Sequence, residues 1–511
     1  MQSSEASAAY ISGDLRASDV RVVVAAFQDH RWQGDHSAGS FTKFYCSNPT
    51  TRASGGACTT KSAQVAGAIA GSLIHFALGA IVGLSGVVLP EMTNSNSSDL
   101  VLSAEQAALF SSLMNIGAMA GSVTSGPLMI FLGQRITLLV ALPLAAVGWF
   151  LLAFTPSVWL LQVARILLGF VSGIYGGPSA NYVAEISHTS VRGRLTGLVD
   201  LLRQLGFLFV YVVGSSGLSW RQTAMVCGAT TTIIPFLFLI FLPNSPRWLA
   251  TRSRFPEARQ SLKFYRGKNY AVDVELEDIS EQLRVTSKTT SIAEQLKVLR
   301  KRPVLKIMSV LIFMFFAYQF CGNFSMIVFS VTIFQSAQSN IDGYTSTIIV
   351  GAVRVLGVLA YISLADKIGR RSLLISSLVL SSLAMSVMGL YFYLKVMNVV
   401  LTQIQWLPLA SMGVFIFFTC IAEPALILLR AELLPTAIRS VGVPIIYVFF
   451  FSGAFLVSYL YPFMVDKIGS HGTFWIYAAD GIIMAVVGTI FIPETLAKSL
   501  EDIEKTYRPS K

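Results

Sequence analysis

Residues 185–193 read EISHTSVRG, and residues 432–440 read ELLPTAIRS. Each stretch follows a long apolar run and begins with a glutamate that is followed seven residues later by an arginine. Basic G-x-R turns, at 133–135 and 369–371, stand before them in the two parts of the chain. A motif set that recurs at matching places in two apolar halves is typical of a duplicated membrane transporter.

The composition places the chain in a membrane. Of its 511 residues, 54% are hydrophobic and only 13% are charged, and the mean hydropathy is +0.64. Both properties lie outside the range of soluble domains. The net charge of +11 would also suit nucleic-acid binding. However, the basic residues mostly flank apolar runs, which favours a lipid bilayer as partner and no nucleic acid.

Twelve apolar stretches are each long enough to cross a bilayer of about 30 Å. They are 65–90, 104–131, 136–154, 157–187, 194–216, 221–242, 304–334, 345–366, 371–394, 407–434, 439–465 and 471–493. The sequence therefore predicts an all-α polytopic membrane protein, with twelve transmembrane helices in two pseudo-symmetric six-helix halves.

The polar segments divide this chain into five parts. Residues 1–62 are predicted to be a disordered cytoplasmic tail, since they are polar and have no apolar core of signal-peptide type. Residues 63–242 and 304–493 form the two six-helix halves. Residues 243–303 are a cytoplasmic linker with short amphipathic helices, because Leu and Ile recur there at helical spacing among mixed charges. Residues 494–511 are a cytoplasmic C-terminal tail.

Loop charge predicts the orientation. The linker is basic, whereas segments 91–103 and 335–344 contain no Lys or Arg. The positive-inside rule therefore places both termini and the linker in the cytoplasm. Asn96 begins an Asn-Ser-Ser sequon in the first outside loop and is a predicted glycosylation site.

Several motifs resemble those of one family. They are Arg165 with Gly169; Tyr182, Glu185 and Arg192-Gly193; Pro243-Asn244-Ser245-Pro246-Arg247-Trp248; Asp366-Lys367-Ile368-Gly369-Arg370-Arg371; Glu432-Leu433-Leu434-Pro435 with Arg439; and Pro493-Glu494-Thr495 with Ser499-Leu500-Glu501. The chain resembles the sugar porters of the major facilitator superfamily, in their arthropod trehalose- and glucose-facilitator branch. This resemblance covers residues 65–505 and implies the major facilitator fold and a plasma-membrane location.

The resemblance also implies a charged gate at the cytoplasmic ends of the helices. Its residues would be Glu185, Arg192, Arg165, Arg370, Arg371, Glu432 and Arg439. Carboxylates and guanidiniums can form bidentate pairs across the seam between the halves when the cavity is closed to the cytoplasm. Alternatively, these residues are ordinary interfacial charges that anchor helix ends.

The substrate path departs from the family pattern. The resemblance implies contacts from Gln319, Tyr318, Asp200, Arg354, Glu423, Phe324 and Ile427. Only Gln319 keeps a family amide, whereas Asp200, Arg354 and Phe324 replace Gln, Asn and Asn, and Ile427 replaces Trp. Sugar hydroxyls need paired donors and acceptors, so this site should discriminate differently from that of a glucose carrier.

Four ionisable residues lie within the predicted spans, namely Asp200, Arg203, Arg354 and Glu423. Each would be costly facing lipid, so each should face the cavity or a partner. Asp200 and Arg203 are three residues apart on one helix and are expected to pair. The resemblance implies that Arg354 and Glu423 lie on helices that pack together around the cavity. The set is either two neutralised pairs, or a site for a charged solute or a coupled proton.

The sequence favours a secondary transporter of a small polar solute, a hexose or trehalose by resemblance. No phosphate-cradling loop, no H-E-x-x-H and no Cys/His cluster is present, so we expect no enzyme, no cofactor and no metal. The alternatives are a carrier of a charged or zwitterionic solute, with or without proton coupling, and a non-transporting, receptor-like relative.

The predicted orientation can be checked by cysteine labelling. A membrane-impermeant reagent added outside cells should modify a cysteine placed at Ser97 and spare one at Lys268. Permeabilised cells serve as the control, since both positions should then react. Labelling of the Lys268 position alone in intact cells would contradict the orientation.

Overall fold

The computed structural model describes residues 61–94, 99–267, 270–287, 298–339, 341–435 and 438–494. Over these residues it contains sixteen α-helices and no strand. The helices are α1 (Lys61–Met92), α2 (Ala104–Leu132), α3 (Gln134–Phe154), α4 (Val158–Ile186), α5 (Arg192–Gly214), α6 (Trp220–Ile240), α7 (Pro246–Thr251), α8 (Phe255–Arg266), α9 (Val272–Ser287), α10 (Arg302–Phe320), α11 (Asn323–Val328), α12 (Ser330–Ala337), α13 (Gly343–Ile368), α14 (Arg370–Val396), α15 (Leu407–Leu433) and α16 (Arg439–Phe491).

Local sequence sets where the long helices begin. Ser103 accepts a hydrogen bond from the backbone N–H of Gln106, whose side chain accepts one from the Ser103 backbone N–H. Ser219 and Gln222 repeat this arrangement at the start of α6. Each capping box satisfies two backbone donors that the first turn of a helix would otherwise leave unpaired.

Two glycines break the apolar helices. Gly322 has φ 91°, and a Cβ there would lie 2.3 Å from Tyr477, so only glycine fits between α10 and α11. Gly469 has φ 72° within α16. The apolar helix Val441–Phe491 has 51 residues and would be about 77 Å long if straight, so it crosses a bilayer twice. The eleven apolar helices among the described residues thus supply the twelve predicted crossings.

The two halves pack alike and meet symmetrically. In the first half α1 packs on α5 and α2 on α4, and in the second α10 packs on α16 and α13 on α15. Between the halves, α5 packs on α13 and α2 packs on α16. Since α13 occupies in its half the place that α2 occupies in the first, these two contacts are equivalent. The seam therefore consists of two equivalent helix–helix contacts, as expected for duplicated halves.

The cores of the two halves are joined at only one end. We call the end that carries α7–α9 the linker end and the opposite end the far end. Towards the far end, one buried apolar core includes Leu84 of the first half and Val331 of the second. At the linker end, Leu195 and Leu429 belong to separate cores. The halves are thus closed against each other at the far end and more loosely joined at the linker end.

Glycine contacts hold α1 against α5. A Cβ added at Gly206 would lie 2.1 Å from the Phe76 carbonyl oxygen, whereas one added at Gly413 would meet nothing within 4 Å. We expect Gly206→Ala to lower the unfolding free energy by about 1–3 kcal/mol, and Gly413→Ala to cause no loss. Thermal unfolding of the purified chains in detergent measures both. Equal melting temperatures for the two variants would contradict this packing.

Candidate functional site

Arg203 on α5 crosses the seam between the halves. Its Nη1 lies 2.6 Å from Glu423 Oε1 on α15, and its Nη2 lies 3.3 Å from Asp200 Oδ1, one turn earlier on α5. The side chains of Arg203 and Glu423 are 14% and 9% exposed, and that of Asp200 is 33% exposed. A guanidinium with two carboxylate partners therefore lies within the membrane-spanning part of the protein, where isolated charges are costly.

The next residue on α5, Gln204, also contacts the second half. Gln204 Oε1 accepts a hydrogen bond of 2.9 Å from Arg354 Nε on α13. The Arg354 guanidinium lies over the Phe207 ring, 4.3 Å from its centroid, which is a cation–π contact. Both Gln204 and Arg354 are fully buried. We refer to Asp200, Arg203, Gln204, Arg354 and Glu423 as the seam cluster.

The pairing within the seam cluster differs from expectation in one respect. Asp200 and Arg203 pair as their spacing predicted. The second of the two neutralised pairs in the first alternative, Arg354 with Glu423, does not form in the described structure, because Arg203 binds the Glu423 carboxylate and Arg354 donates to the neutral amide of Gln204. Helical spacing indicated which residues share a face, but it did not indicate Gln204, since an amide in an apolar run carries no charge signal. Among the described side chains, none are grouped to hold a metal ion.

The other predicted contact residues lie in the second half. Tyr318 donates to the Thr419 carbonyl oxygen over 3.0 Å and is fully buried, so its hydroxyl ties α10 to α15. Gln319 is buried, and its Oε1 has no hydrogen-bond partner. Phe324 is buried in the core at the far end, and Ile427 packs against the core at the linker end. Of these four residues, Gln319 alone has a side-chain polar atom without a hydrogen-bond partner.

The predicted gate residues whose side chains the structure describes have partners within their own halves or the linker. Glu185 accepts hydrogen bonds from Gln134 Nε2 at 2.9 Å and from the Ser245 hydroxyl. Arg192 donates to the Ser187 carbonyl oxygen at 3.5 Å, and Arg370 Nε lies 3.5 Å from Glu432 Oε1. The side chain of Arg439, like the sequon at Asn96, lies outside the described residues.

The assignment of Arg165 to the gate was wrong. Arg165 is fully buried near the far end and has no carboxylate partner among the described residues. Its guanidinium donates to the carbonyl oxygens of Phe110 and Ile81 at 3.0 and 3.2 Å, and to the Ser85 hydroxyl at 2.6 Å. It therefore joins α1, α2 and α4 inside the first half. The motif indicated the type of residue at this position, but not the neighbours that give Arg165 its structural role.

The two G-x-R turns perform the same task in the two halves. Arg135 donates to the carbonyl oxygens of Leu239 and Ile240, at 2.9 and 2.7 Å, where α6 ends. Arg371 donates to the Thr489 carbonyl oxygen near the end of α16. The last carbonyls of a helix lack partners within it and carry partial negative charge. Each arginine thus caps the last transmembrane crossing of its half. The repeated motif indicated equivalent positions in the two halves, but sequence reasoning did not predict this capping role.

The linker helices are bound to the first half. Arg266 on α8 donates to the Ile186 carbonyl oxygen at 2.7 Å and forms a bidentate pair with Glu275 on α9. The Tyr265 and Tyr182 hydroxyls lie 2.7 Å apart. Burial raises the pKa of Tyr265 well above its usual range, so its hydroxyl keeps its proton for this bond. The end of α4 is therefore fixed to the linker rather than free.

The architecture agrees with solved structures of major facilitator proteins. The inward-open xylose transporter XylE from E. coli matches 86% of this chain and 99% of its own, with a TM-score of 0.72 and 21% identity. The proton:xylose symporter XylE bound to 6-bromo-6-deoxy-D-glucose matches 88% of this chain and 100% of its own, with a TM-score of 0.70 and 21% identity. The predicted fold is confirmed: the chain has the major facilitator fold.

Sequence comparison identifies the family. A family model described as "Sugar (and other) transporter" matches residues 48–507. The chain therefore belongs to the sugar transporter family, whose members are not enzymes. The "Facilitated trehalose transporter Tret1" of Drosophila mojavensis is 32% identical over 86% of this chain and 51% of its own length. That of Culex quinquefasciatus is 32% identical over 86% of this chain and 85% of its own. The chain thus spans about half the length of the first relative.

The Arg203–Glu423 contact can be measured by a double-mutant cycle. Removing one partner of a buried ion pair should cost about 3 kcal/mol, so Arg203→Met and Glu423→Gln should each lower the melting temperature in detergent. The double variant should be more stable than the sum of the two losses predicts. Asp200→Asn is the control, with a smaller effect because Asp200 is more exposed. Strict additivity of Arg203→Met and Glu423→Gln would contradict the contact.

Proposed function

We propose that the protein is a secondary transporter that carries a sugar, a hexose or trehalose, by alternating access. The seam cluster is the observation that carries this proposal. Polar residues within membrane spans face the interior of the bundle and mark substrate paths. Amide and charged groups supply the paired donors and acceptors that sugar hydroxyls require. The names of the curated relatives support the same solute class.

The arrangement of the cores supports a rocking mechanism. The halves share a core at the far end and have separate cores at the linker end, so the linker end can part with less loss of apolar contact. Each half is internally braced, by Arg165 and Arg135 in the first and by Arg371 in the second. Two rigid halves that meet at a polar seam can rock against each other, so that the site between them opens first to one side of the membrane and then to the other.

The gate remains a proposal. Glu185, Arg192, Arg370, Glu432 and Arg439 close the linker end through pairs between the halves when the far end opens. Their present partners support this, because Glu185 and Glu432 have charged or polar neighbours at the same end of the molecule. Arg371 anchors α16 and belongs to the bracing rather than to the gate.

The location of the protein is likewise proposed. The relatives and the apolar helices support a multi-pass protein embedded in a lipid bilayer. We infer a plasma-membrane protein with the linker end in the cytoplasm, from the basic linker and the uncharged loops at the far end.

Uptake into proteoliposomes tests the proposed function directly. The purified full chain should transport labelled hexose or trehalose, and excess unlabelled sugar of the same kind should compete. Liposomes without protein, and liposomes with a heat-denatured chain, are the controls. Uptake of organic anions or cations with no sugar uptake, or binding of sugar without any transport, would contradict the proposal.

The gate can be tested at Arg439. Loss of one partner from a partly buried pair costs about 3 kcal/mol in the state that contains it, which shifts a two-state equilibrium by roughly a hundredfold. Arg439→Ala should therefore lower net uptake while the chain still reaches the membrane. Surface labelling of the expressed chain provides the control. Wild-type uptake by this variant would show that Arg439 has no gating role.

A further inference from the structure

One face of α2 is apolar and exposed as far as the linker end. Ile116, Val123 and Ile130 recur at seven-residue spacing, so they share a face of the helix. Their exposed fractions are 38%, 46% and 64%, and Phe131, next to the last of them, is 70% exposed. An exposed apolar face on a helix that is long enough to cross a bilayer contacts lipid. This face therefore reaches the boundary of the bilayer at Ile130 and Phe131.

Arg252, which directly follows α7, lies at the end of this face. Its Nη2 donates to the carbonyl oxygens of Ile130 and Phe131, at 2.7 and 3.3 Å. Trp248 Nε1 donates to the same Ile130 oxygen at 3.2 Å, and the Arg252 guanidinium lies 6.0 Å from the centre of the Trp248 ring. Tryptophan and arginine are typical of the zone between lipid headgroups and acyl chains. We call Ile130, Phe131, Trp248 and Arg252 the boundary patch.

The charge of the boundary patch is not neutralised by the described residues. Arg252 is exposed, and its hydrogen bonds go through Nη2 to uncharged carbonyl oxygens. By contrast, Arg254 is held by Glu257 through both Nε and Nη2. The segments 127–136 and 246–254 contain four arginines and no Asp or Glu. Arg252 therefore keeps Nε and Nη1 for an anion from outside the described chain.

The equivalent turn of the second half has a different composition. Three residues before the glycine of each G-x-R turn stand Ile130 in the first half and Asp366 in the second. Two residues before it stand Phe131 and Lys367. The second half thus has two charged residues where the first half has two exposed apolar ones. Contact with lipid at this turn is therefore expected of the first half rather than of the second.

We propose that the boundary patch binds an anionic phospholipid in the leaflet at the linker end. Arg252 Nε and Nη1 donate to the phosphate oxygens, and the acyl chains lie against Ile130 and Phe131. The planar guanidinium matches the geometry of a phosphate, and an anionic headgroup supplies the negative charge that the described residues do not. Because Arg252 belongs to the linker and Ile130 to α2, the bound lipid holds the linker against the first half. The site does not depend on which solute the protein carries.

Native mass spectrometry of the full chain in detergent tests the site. Delipidated protein is titrated with dioleoyl phosphatidylglycerol, and with dioleoyl phosphatidylcholine as the reference lipid without net charge. Arg252→Gln should weaken phosphatidylglycerol binding about fivefold and leave phosphatidylcholine binding unchanged. Arg254→Gln is the matched control, because it removes the same charge from an arginine that Glu257 already neutralises. It should change phosphatidylglycerol binding by less than about twofold.

Two further measurements keep the test decisive even if Arg252→Gln does not fold. Phe131→Ser changes no charge and leaves the backbone oxygens that Arg252 binds in place. It should weaken phosphatidylglycerol binding about threefold, because the acyl chains lose an apolar contact. Soluble glycerophosphoglycerol has the same headgroup without acyl chains, and about a tenfold excess of it should not displace the bound lipid, since it lacks the apolar part of the contact.

Three outcomes would overturn the site. Equal losses in Arg252→Gln and Arg254→Gln would show that only the overall charge matters. Unchanged phosphatidylglycerol binding in Phe131→Ser would show that the acyl chains do not lie at the patch. Displacement of the lipid by glycerophosphoglycerol would show a site for a free phosphate ester instead. Each result is independent of sugar uptake by the wild type, so the proposed function and this lipid site can fail separately.

Discussion

The structure depends on a buried guanidinium that is held by carboxylates from both halves. Arg203 belongs to α5, yet its shorter contact, at 2.6 Å, is with Glu423 of the other half. An ion pair in a poorly solvated seam is costly to form from separated charges and more costly to break by removing one partner. It therefore favours one arrangement of the halves. Its remaining partner, Asp200, lies on the same helix and can stay with Arg203 when the halves part.

The other buried arginines complement this contact. Arg165 fixes three helices of the first half, while Arg135 and Arg371 cap the last crossing of each half. These guanidiniums bind backbone carbonyl oxygens, which move with the helices that carry them. Contacts within a half therefore move with that half, whereas the contacts of Arg203 and Arg354 join the two parts that separate in the proposed mechanism. An arginine thus rigidifies its own half where it binds backbone carbonyl oxygens. It links the two halves where it binds a side chain of the other half.

Much of the fold follows from the sequence alone. The apolar runs predicted the crossings, and the repeated G-x-R turns predicted a duplicated architecture, because both signals arise from the need to bury helices in lipid and to close their ends. The Asp200–Arg203 pair followed from helical spacing. Contacts between helices did not follow, as Glu423 and Arg165 show. Spacing fixes the face of one helix, but which side chain it meets depends on the rotation and depth of another. Gln204, which accepts a hydrogen bond from Arg354 across the seam, lacked any signal, since an uncharged amide in an apolar run has no charge that marks it.

The account depends most on the claim that the Arg203–Glu423 pair holds the halves in the described arrangement. Spin labels on cysteines at Glu105 and Val400, which lie at the far end of the first and second halves, report the separation of the halves by pulsed electron paramagnetic resonance. The wild-type sequence should give one short distance, and Glu423→Gln should add a second population at longer distance. Identical distance distributions for the two chains would contradict the claim.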